Sequence, residues 1–279
     1  MRNRPFIGIF RALVTLARSF DYLVEVVYPS SCLLCGQPTP RVPFAYFGRR
    51  PPLNAILCPE CRKKLVSPTR QFCKRCARPV LPWQIGEYCG QCQEGVFAFD
   101  EARPLQFYRG LTRGVVLRLK RDRDGLLAYL IARLYFEERR DVLEAFQPDC
   151  VVAVPMNWRR KFLRKGINAP ERVAELLAFF LSVPYVKRRL IRARATPTQT
   201  SVSWEDRARN VAGAFAIRAA ARERPFAGKR VLLVDDAMTT GATTHEVSKL
   251  LRASGAEKVY VAVIARAGLG KKRSLEAKK

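Results

Sequence analysis

Acidic residues and long apolar runs are both scarce in this chain. Its 279 residues include 24 Asp and Glu against 51 Lys and Arg, which gives a formal net charge of +27. So large a basic excess favours polyanionic partners such as phosphorylated molecules, nucleic acid or an acidic membrane surface, although a solvated basic surface gives the same composition. No apolar run approaches the roughly 20 residues of a membrane-spanning helix, so we expect no integral membrane span and a cytoplasmic protein.

The N-terminal segment has apolar stretches that charged residues interrupt, and it lacks a clear small-residue cleavage site. These features argue against a secretory signal peptide. Its apolar residues recur at helical spacing, while Arg11, Thr15 and Arg18 fall on one face. We therefore predict an amphipathic helix in residues 1–29 that docks on the protein or on a partner, with binding to a membrane surface as the weaker alternative.

Histidine is limited to one residue, whereas cysteine is abundant and regularly spaced. Eight of the nine cysteines form Cys-x-x-Cys pairs at Cys32/Cys35, Cys58/Cys61, Cys73/Cys76 and Cys89/Cys92. Two thiolates at this spacing can bind one tetrahedral ion from a tight turn, so four pairs predict two structural four-cysteine zinc sites without an open coordination position. Disulfides and redox pairs fit less well, because four such pairs in a chain without a secretory signal favour metal.

The spacing leaves open which pairs share an ion. Sequential pairing would join the first two pairs and the last two, and interleaved pairing also satisfies the pattern. Because zinc supplies much of the folding free energy of a small ribbon, we expect its removal to unfold residues 30–95 more than the rest of the chain. The ninth cysteine, Cys150, lies beside a β-rich run and is interpreted as a buried apolar residue.

After residue 97 the pattern changes to alternating strands and helices, which predicts a mostly parallel, doubly wound α/β sheet. The predicted strands are 104–108, 150–154, 185–190, 229–234 and 258–265, and the predicted helices are 111–120, 126–140, 171–181 and 243–253. The domain organisation predicted from these patterns is a helix in 1–29, a double zinc-ribbon region in 30–97, an α/β domain in 98–268 and a basic disordered tail in 269–279.

The most informative segment is 231–243, where four apolar β-prone residues run into Asp235 and Asp236. A Thr- and Gly-rich turn follows, and then a helical pattern begins. This order can hold a sugar phosphate at the carboxyl end of a parallel strand, because carboxylates accept hydrogen bonds from ribose hydroxyls and N–H groups at a helix N-terminus bind phosphate. Gly241 would let the backbone approach the phosphate. An ordinary strand, turn and capped helix is the alternative, but it gives two adjacent carboxylates no role.

This segment resembles the phosphoribosyl-pyrophosphate (PRPP) loop of type I phosphoribosyltransferases. It is not a P-loop, since no Gly-Lys-Ser/Thr follows. The resemblance implies a site for PRPP with Mg²⁺. The implied PRPP-binding residues are Asp235, Asp236, Ala237, Met238, Thr239, Thr240, Gly241, Ala242 and Thr243.

From about Tyr28 to Arg266 the chain is similar to the ComF family of competence-associated proteins. Besides the PRPP loop, the matching stretches are 32–36, 99–100, 107–110, 154–155, 164–166, 192–199, 209–215 and 265–266. The resemblance implies a type I phosphoribosyltransferase-like fold preceded by a zinc-ribbon region with four-cysteine sites. It also implies a PRPP-binding protein that acts in DNA uptake or nucleotide-related metabolism. A glycosyltransferase-class activity with an unknown acceptor is the enzymatic form of this expectation.

Two departures from the family pattern lie where type I enzymes hold pyrophosphate and close a loop. Met156-Asn157 replaces Leu-His, and Ala169-Pro170 replaces Gln-Ala. By family analogy, candidates for stabilising a departing pyrophosphate are the cations of two basic segments, which otherwise serve as solvated charges or phosphate contacts to nucleic acid. These candidates are Arg159, Arg160, Arg164, Lys165, Arg192 and Arg194, with Asn168 and Gln199 as further polar family positions.

The sequence offers no general base. Thr239 occupies the position where hypoxanthine-type enzymes place a carboxylate, and His245 is expected on the outer face of its helix. The alternative function is therefore a non-catalytic single-stranded-DNA-binding module that works with DNA-uptake proteins.

Overall fold

The computed structural model describes residues 30–40, 50–68, 72–80, 88–89, 92, 97–156, 168–194, 204–218 and 223–267. The helix predicted at 1–29, the tail at 269–279 and the candidates Arg159, Arg160, Arg164, Lys165 and Gln199 lie outside these ranges. The chain divides into two compact units, Met1–Lys63 and Lys64–Lys279. The four domain boundaries drawn from the sequence stay predictions.

Short helices occur in the cysteine-rich part, and longer helices alternate with strands after residue 100. The helices are α1 (Leu53–Ile56), α2 (Pro59–Leu65), α3 (Gly110–Leu119), α4 (Leu126–Glu138), α5 (Arg140–Phe146), α6 (Ala169–Leu181), α7 (Trp204–Val211) and α8 (Ala242–Ala253). The strands are β1 (Glu101–Phe107), β2 (Cys150–Ala153), β3 (Leu190–Arg192), β4 (Phe215–Ile217), β5 (Arg230–Met238) and β6 (Lys258–Arg266). Among helices in the described ranges, none has the length and apolar content needed to cross a bilayer.

The main sheet has the order β1-β6-β5-β2, and every neighbouring pair of strands is parallel. This arrangement confirms the predicted parallel α/β sheet. Both faces of the sheet are covered, so side chains of either parity are buried along most of its strands. The strands β3 and β4 form a separate antiparallel ribbon. Since parallel strands end at one edge, the carboxyl ends of β2, β5 and β6 lie along the same side of the sheet.

One face of the sheet packs against both α8 and a cysteine cluster. Alternate residues of β5, such as Val231 and Leu233, share a hydrophobic cluster with Val247 and Leu251 of α8. The same cluster contains the second cysteine group, Cys73, Cys76, Cys89 and Cys92. This part of the zinc-ribbon region is therefore built into the core of the α/β unit.

Helices pack on the opposite face of the sheet. There α6 packs on β2, β5 and α4. The ring of Tyr260 on β6 lies 4.9 Å from that of Phe146 on α5, measured between centroids. Cys150 is fully buried in β2 and burial raises its pKa to about 11, so its thiol stays neutral, as the apolar interpretation expects.

The strand β5 is longer than predicted, and the acidic pair lies within it rather than after it. Its pairing with β6 continues through Asp235↔Val263 to Met238↔Arg266. The parallel neighbour extends the strand because it supplies ladder hydrogen bonds past the apolar run. The turn before α8 is accordingly short, and it comprises residues 239–241.

Two other predicted elements differ from the structure. The helix predicted over 126–140 is two helices, because the chain breaks at Arg139, whose buried guanidinium donates hydrogen bonds to the carbonyls of Ser67, Pro104 and Leu105. The strand predicted over 185–190 is a single bridge between Tyr185 and Val151, followed by β3.

His245 is not on the outer surface, which corrects the prediction. It is half-buried, its Nδ1 accepts a hydrogen bond from the Ala98 N–H at 3.0 Å, and its ring meets Phe97 edge-on at 6.0 Å. Helical spacing placed it away from Val247, but a chain segment from the ribbon region covers that side of α8. The role of His245 in this structure is to dock residues 97–98 onto α8.

Acidification should weaken the fold through His245. Burial lowers the pKa of His245, the neighbouring Lys249 lowers it further and Glu246 opposes the shift. The unfolded state therefore binds the proton first, so this contribution to stability is present above about pH 6.5 and is lost as the pH falls through the folded-state pKa. His245→Asn keeps an acceptor oxygen but does not titrate.

The measurement is the urea midpoint of both proteins at about pH 7.5 and about pH 5.5. The midpoint of the wild-type protein should fall more between these values than that of His245→Asn. Zinc loss at low pH affects both proteins, so the difference between them isolates the histidine. Equal falls would show that protonation of His245 does not destabilise the docking contact.

Candidate functional site

The eight paired cysteines assemble into two groups in sequential order, which the sequence alone left open. Cys32, Cys35, Cys58 and Cys61 form the first cysteine cluster, and Cys73, Cys76, Cys89 and Cys92 form the second. Within each cluster all four sulfur atoms lie within 4.8 Å of one another. All eight are free thiols rather than disulfides. Each site is therefore formed by two Cys-x-x-Cys pairs that follow one another along the chain.

The donor sets fit structural zinc. The Sγ atoms of Cys35 and Cys58 are 3.7 Å apart, and those of Cys76 and Cys89 are 3.5 Å apart. A tetrahedral ion with metal–sulfur bonds of about 2.3 Å requires sulfur–sulfur separations of about 3.8 Å. Backbone N–H groups also point at sulfur, from Cys61 to Cys58 at 3.4 Å and from Cys89 to Cys73 at 3.3 Å. Zinc held by four such thiolates stabilises the turn and leaves no position for catalysis.

The second cysteine cluster changes what zinc removal should do. Its four cysteines are buried in the hydrophobic core that includes β5, β6 and α8. Loss of zinc from this cluster should therefore disturb the α/β unit as well as residues 30–95. Removing its metal leaves up to four thiolates or thiols without a ligand inside the core of the α/β unit.

Paired substitutions should separate the two zinc sites. Cys73→Ser should lower the zinc content from about two ions per chain to about one and lower the melting temperature of the α/β unit, because the ligand is in that unit's core. Cys32→Ser should lose the same amount of zinc with a smaller effect on the α/β unit. Elemental analysis and hydrogen exchange of β5 and β6 make the comparison. Equal protection of those strands in both variants would contradict it.

The acidic pair lies at the carboxyl end of β5, where Asp235 is buried and Asp236 is partly exposed. Asp235 is 8% exposed, and its Oδ1 accepts a hydrogen bond from the Asp236 N–H at 2.9 Å. Burial raises the pKa of Asp235 well above its ordinary value, and the charge of Asp236 raises it further. Lys120 and Arg192 oppose that shift. A buried carboxyl with nearby cations and no ion pair of its own among the described residues is suited to accept hydrogen bonds from a ligand.

Lys120 is a site residue that sequence reasoning missed. It follows α3, and its Nζ lies 3.2 Å from Oδ2 of Asp236. In the sequence it is one of five consecutive charged residues at 120–124, and nothing in that run distinguishes it. The parallel position of β1 beside β6 brings α3 to the edge where β5 ends.

The turn after β5 enters α8 through a glycine in the left-handed region. Gly241 has φ +88°, in the left-handed region, and it immediately precedes the first residue of α8. A Cβ at Gly241 would lie 3.0 Å from both the Met238 methyl and the Phe97 ring. Glycine is thus required by backbone conformation and packing, in addition to the predicted approach of phosphate. The Thr240 hydroxyl accepts a hydrogen bond from the Ala242 N–H at 3.4 Å.

A cavity of about 820 Å³ opens beside the carboxyl end of β2. Five cations and two carboxylates line it, namely Arg172, Lys187, Arg188, Arg192, Arg218, Glu171 and Glu175. Asn168, at the N-cap of α6, also lines the cavity, and within the described ranges neither polar atom of its buried amide has a hydrogen-bond partner. Because cations outnumber carboxylates in its lining, this cavity suits an anion.

The candidate basic residues from the second basic segment take different positions. Arg192 lies over the Phe215 ring at 5.1 Å, lines the cavity and is close enough to lower the pKa of Asp235. Arg194 instead donates hydrogen bonds to the carbonyls of Asn210 and Ala212, which ties it to the end of α7. The structure therefore places Arg192 in the lining of the basic cavity and gives Arg194 a structural contact.

Phe99-Asp100, singled out in the sequence, has a structural role. The carboxylate of Asp100 accepts hydrogen bonds from the Val259 N–H at 2.7 Å and from the Arg252 guanidinium. These contacts join the segment before β1 to β6 and α8.

Models of two protein families match the chain. A double zinc ribbon domain covers residues 23–93, and a phosphoribosyl transferase domain covers residues 163–279. Among solved structures, a purine phosphoribosyltransferase from Pyrococcus horikoshii is 14% identical with a TM-score of 0.32, over 52% of this chain and 93% of the other. That likeness is too low to establish the fold by itself.

Two related proteins align with most of the chain. Competence protein F of Haemophilus influenzae is 30% identical over 214 residues, which is 76% of this chain and 90% of that protein. DNA utilization protein YhgH of Salmonella typhimurium is 31% identical over 245 residues, which is 84% of this chain and 95% of that protein. Together with the double ribbon and the acidic pair before a glycine turn, these matches show that the chain belongs to the ComF family of phosphoribosyltransferase-like proteins.

Proposed function

We propose that this chain binds PRPP with Mg²⁺ at the carboxyl end of β5. The observation that carries the proposal is the adjacency of an acidic pair, the buried Asp235 and the partly exposed Asp236, to a tight glycine turn at the N-terminus of α8. Carboxylates accept hydrogen bonds from the vicinal hydroxyls of a ribose, and the amino end of a twelve-residue helix attracts its 5′-phosphate. These two features lie on one strand and the turn that follows it, as a ribose 5-phosphate requires.

In this proposal, the cations near the acidic pair bind the pyrophosphate group of PRPP. Lys120 neutralises Asp236 before ligand arrives and is placed to turn to a phosphate oxygen afterwards. Arg192 joins the acidic pair to the basic cavity, where Arg172 and Arg218 add positive charge. Mg²⁺ prefers carboxylate, phosphate and water oxygens and, when bound, would offset pyrophosphate charge. Stabilising that charge is what transfer of the phosphoribosyl group to an acceptor demands of the protein.

We place this activity in DNA uptake or in nucleotide-related metabolism. The support comes from the relatives, whose names are Competence protein F and DNA utilization protein YhgH. PRPP is the substrate class that the phosphoribosyl transferase domain implies for residues 163–279. The cytoplasmic location predicted from the sequence fits such a role.

Removing the negative charge of the acidic pair should weaken PRPP binding. Asp235→Asn/Asp236→Asn keeps the side-chain shapes but replaces charged acceptors, and hydrogen bonds to charged groups contribute roughly 1.5–3 kcal/mol each. We expect at least about tenfold weaker binding of PRPP with Mg²⁺ in calorimetry. Asp149→Asn is the matched control, because Asp149 lies before the amino end of β2, at the other edge of the sheet. Equal affinity of wild type and the double variant would disprove the site.

The affinity for PRPP should also depend on pH through Asp235. Its raised pKa means that the carboxyl is protonated at higher pH than an ordinary aspartate, and the protonated form is the weaker acceptor. Affinity should therefore rise as the pH increases through that raised pKa. Asp235→Asn should lose this dependence while being at least as stable as wild type, because it removes a buried charge. A pH profile that is unchanged in Asp235→Asn would contradict the assignment.

Single-stranded-DNA binding is the second candidate function, and the basic cavity favours it as well. Phosphates of a nucleic acid backbone could bind the same cations that line the cavity, and the net charge of +27 would support such contact. Affinity should then fall with salt at a log–log slope of about −0.7 per phosphate contacted. DNA binding that survives Asp235→Asn/Asp236→Asn, without release of pyrophosphate from PRPP, would favour this function over the transferase.

A further inference from the structure

A single buried arginine joins the second cysteine cluster to the glycine turn. Arg266 ends β6 and is 1% exposed. Its Nε donates a hydrogen bond to the Cys76 carbonyl at 3.0 Å, and its Nη1 donates to the carbonyls of Met238 at 3.0 Å and of Thr239. One guanidinium therefore holds the backbone of a zinc-binding turn and the backbone of the proposed phosphate turn together.

Arg266 is a buried cation that contacts the second cysteine cluster. A buried cation needs a negative partner, and within the described ranges no carboxylate forms an ion pair with it. Four thiolates around one divalent ion carry an excess of negative charge. With zinc bound, the second cysteine cluster, whose Cys76 carbonyl accepts a hydrogen bond from Arg266, would supply a countercharge for this arginine.

Phe97 provides a second contact between the ribbon and the turn. Its ring lies where a Cβ at Gly241 would be 3.0 Å away, so it packs directly against the turn. Its carbonyl accepts a hydrogen bond from Arg75 at 3.2 Å, and Arg75 lies inside the Cys73-x-x-Cys76 turn. The proposed phosphate turn is thus held from two sides by groups attached to the second cysteine cluster.

We propose that Arg266 is a positioning residue that makes PRPP affinity depend on zinc in the second cysteine cluster. Zinc fixes the Cys76 turn, Arg266 transmits that position to residues 238–239, and the turn keeps its N–H groups directed at the phosphate. This inference rests on the proposed PRPP site. By thermodynamic linkage it requires the reverse effect as well, so that bound PRPP slows or weakens the loss of zinc from this cluster.

The test compares Arg266→Met and Arg266→Lys with Arg103→Met in the full chain. Arg103 is the matched control because it is also buried and donates to the ribbon carbonyl of Lys74, while its other partners among the described residues are Ala102 and Glu101 rather than the turn. Arg266→Lys keeps the charge but cannot bridge both backbones, so it remains informative if Arg266→Met fails to fold.

Three measurements are made on each protein: PRPP affinity with Mg²⁺ by calorimetry, zinc release to a chromogenic chelator with and without PRPP, and hydrogen exchange of residues 238–243 without ligand. We expect both Arg266 variants to bind PRPP at least about tenfold more weakly than wild type. The amide hydrogens of residues 238–243 should exchange faster, and bound PRPP should no longer slow the release of zinc. Arg103→Met should bind PRPP within about twofold of wild type and keep that protection.

Each outcome is decisive. An Arg266→Lys variant with wild-type affinity and wild-type exchange in the turn would overturn the inference while leaving the PRPP site intact. Zinc release from wild type that PRPP does not slow, in a protein that binds PRPP, would overturn it too. If wild type does not bind PRPP at all, the proposed function fails, and the exchange rates of the turn still test whether Arg266 positions it.

Discussion

Parallel pairing of β5 with β6 is the interaction on which the rest of the structure depends. The ladder continues beyond the apolar run, through the acidic pair to Met238↔Arg266. It therefore holds Asp235 and Asp236 in extended backbone at the sheet edge instead of leaving them in a loop. The same pairing sets Arg266 beside Met238, so the end of one strand and the start of the glycine turn share one guanidinium. A shift in this register would separate the carboxylates, the turn and the zinc-linked arginine together.

The acidic pair at the end of β5 lowers the stability of the folded chain. Burial and the neighbouring charge of Asp236 raise the pKa of Asp235. Among the described residues, Lys120 forms an ion pair with Asp236. A core without function would replace such a pair with apolar side chains, since unpaired buried carboxyls are unfavourable. Positive charge from Lys120 and Arg192 acts on this pair, an arrangement that suits a ligand carrying both hydroxyl donors and phosphates.

The two cysteine clusters have the same four ligands and the same two-residue gaps within each pair, but they lie in different parts of the fold. The first belongs to the unit Met1–Lys63, whereas the second belongs to Lys64–Lys279 and lies in the hydrophobic core of its sheet. A family model treats residues 23–93 as one double ribbon. In the folded chain the second ribbon is also part of the phosphoribosyltransferase-like unit, which explains why residues 97–100 dock through His245 and Arg252 onto α8.

The sequence by itself determined the zinc ligands, the parallel α/β class and the acidic pair before a glycine turn, because each is a local pattern: two-residue cysteine gaps, apolar runs of strand length, and carboxylates followed by small residues. It could not determine which cysteine pairs meet, since both pairings satisfy the spacing. It could not mark Lys120 among four charged neighbours, place His245 against Ala98, or reveal that Arg266 connects a cysteine turn 190 residues away. Only the tertiary structure decided these, because they depend on which strands are neighbours and which segments cover a helix face, and no local spacing encodes contacts between distant parts of the chain.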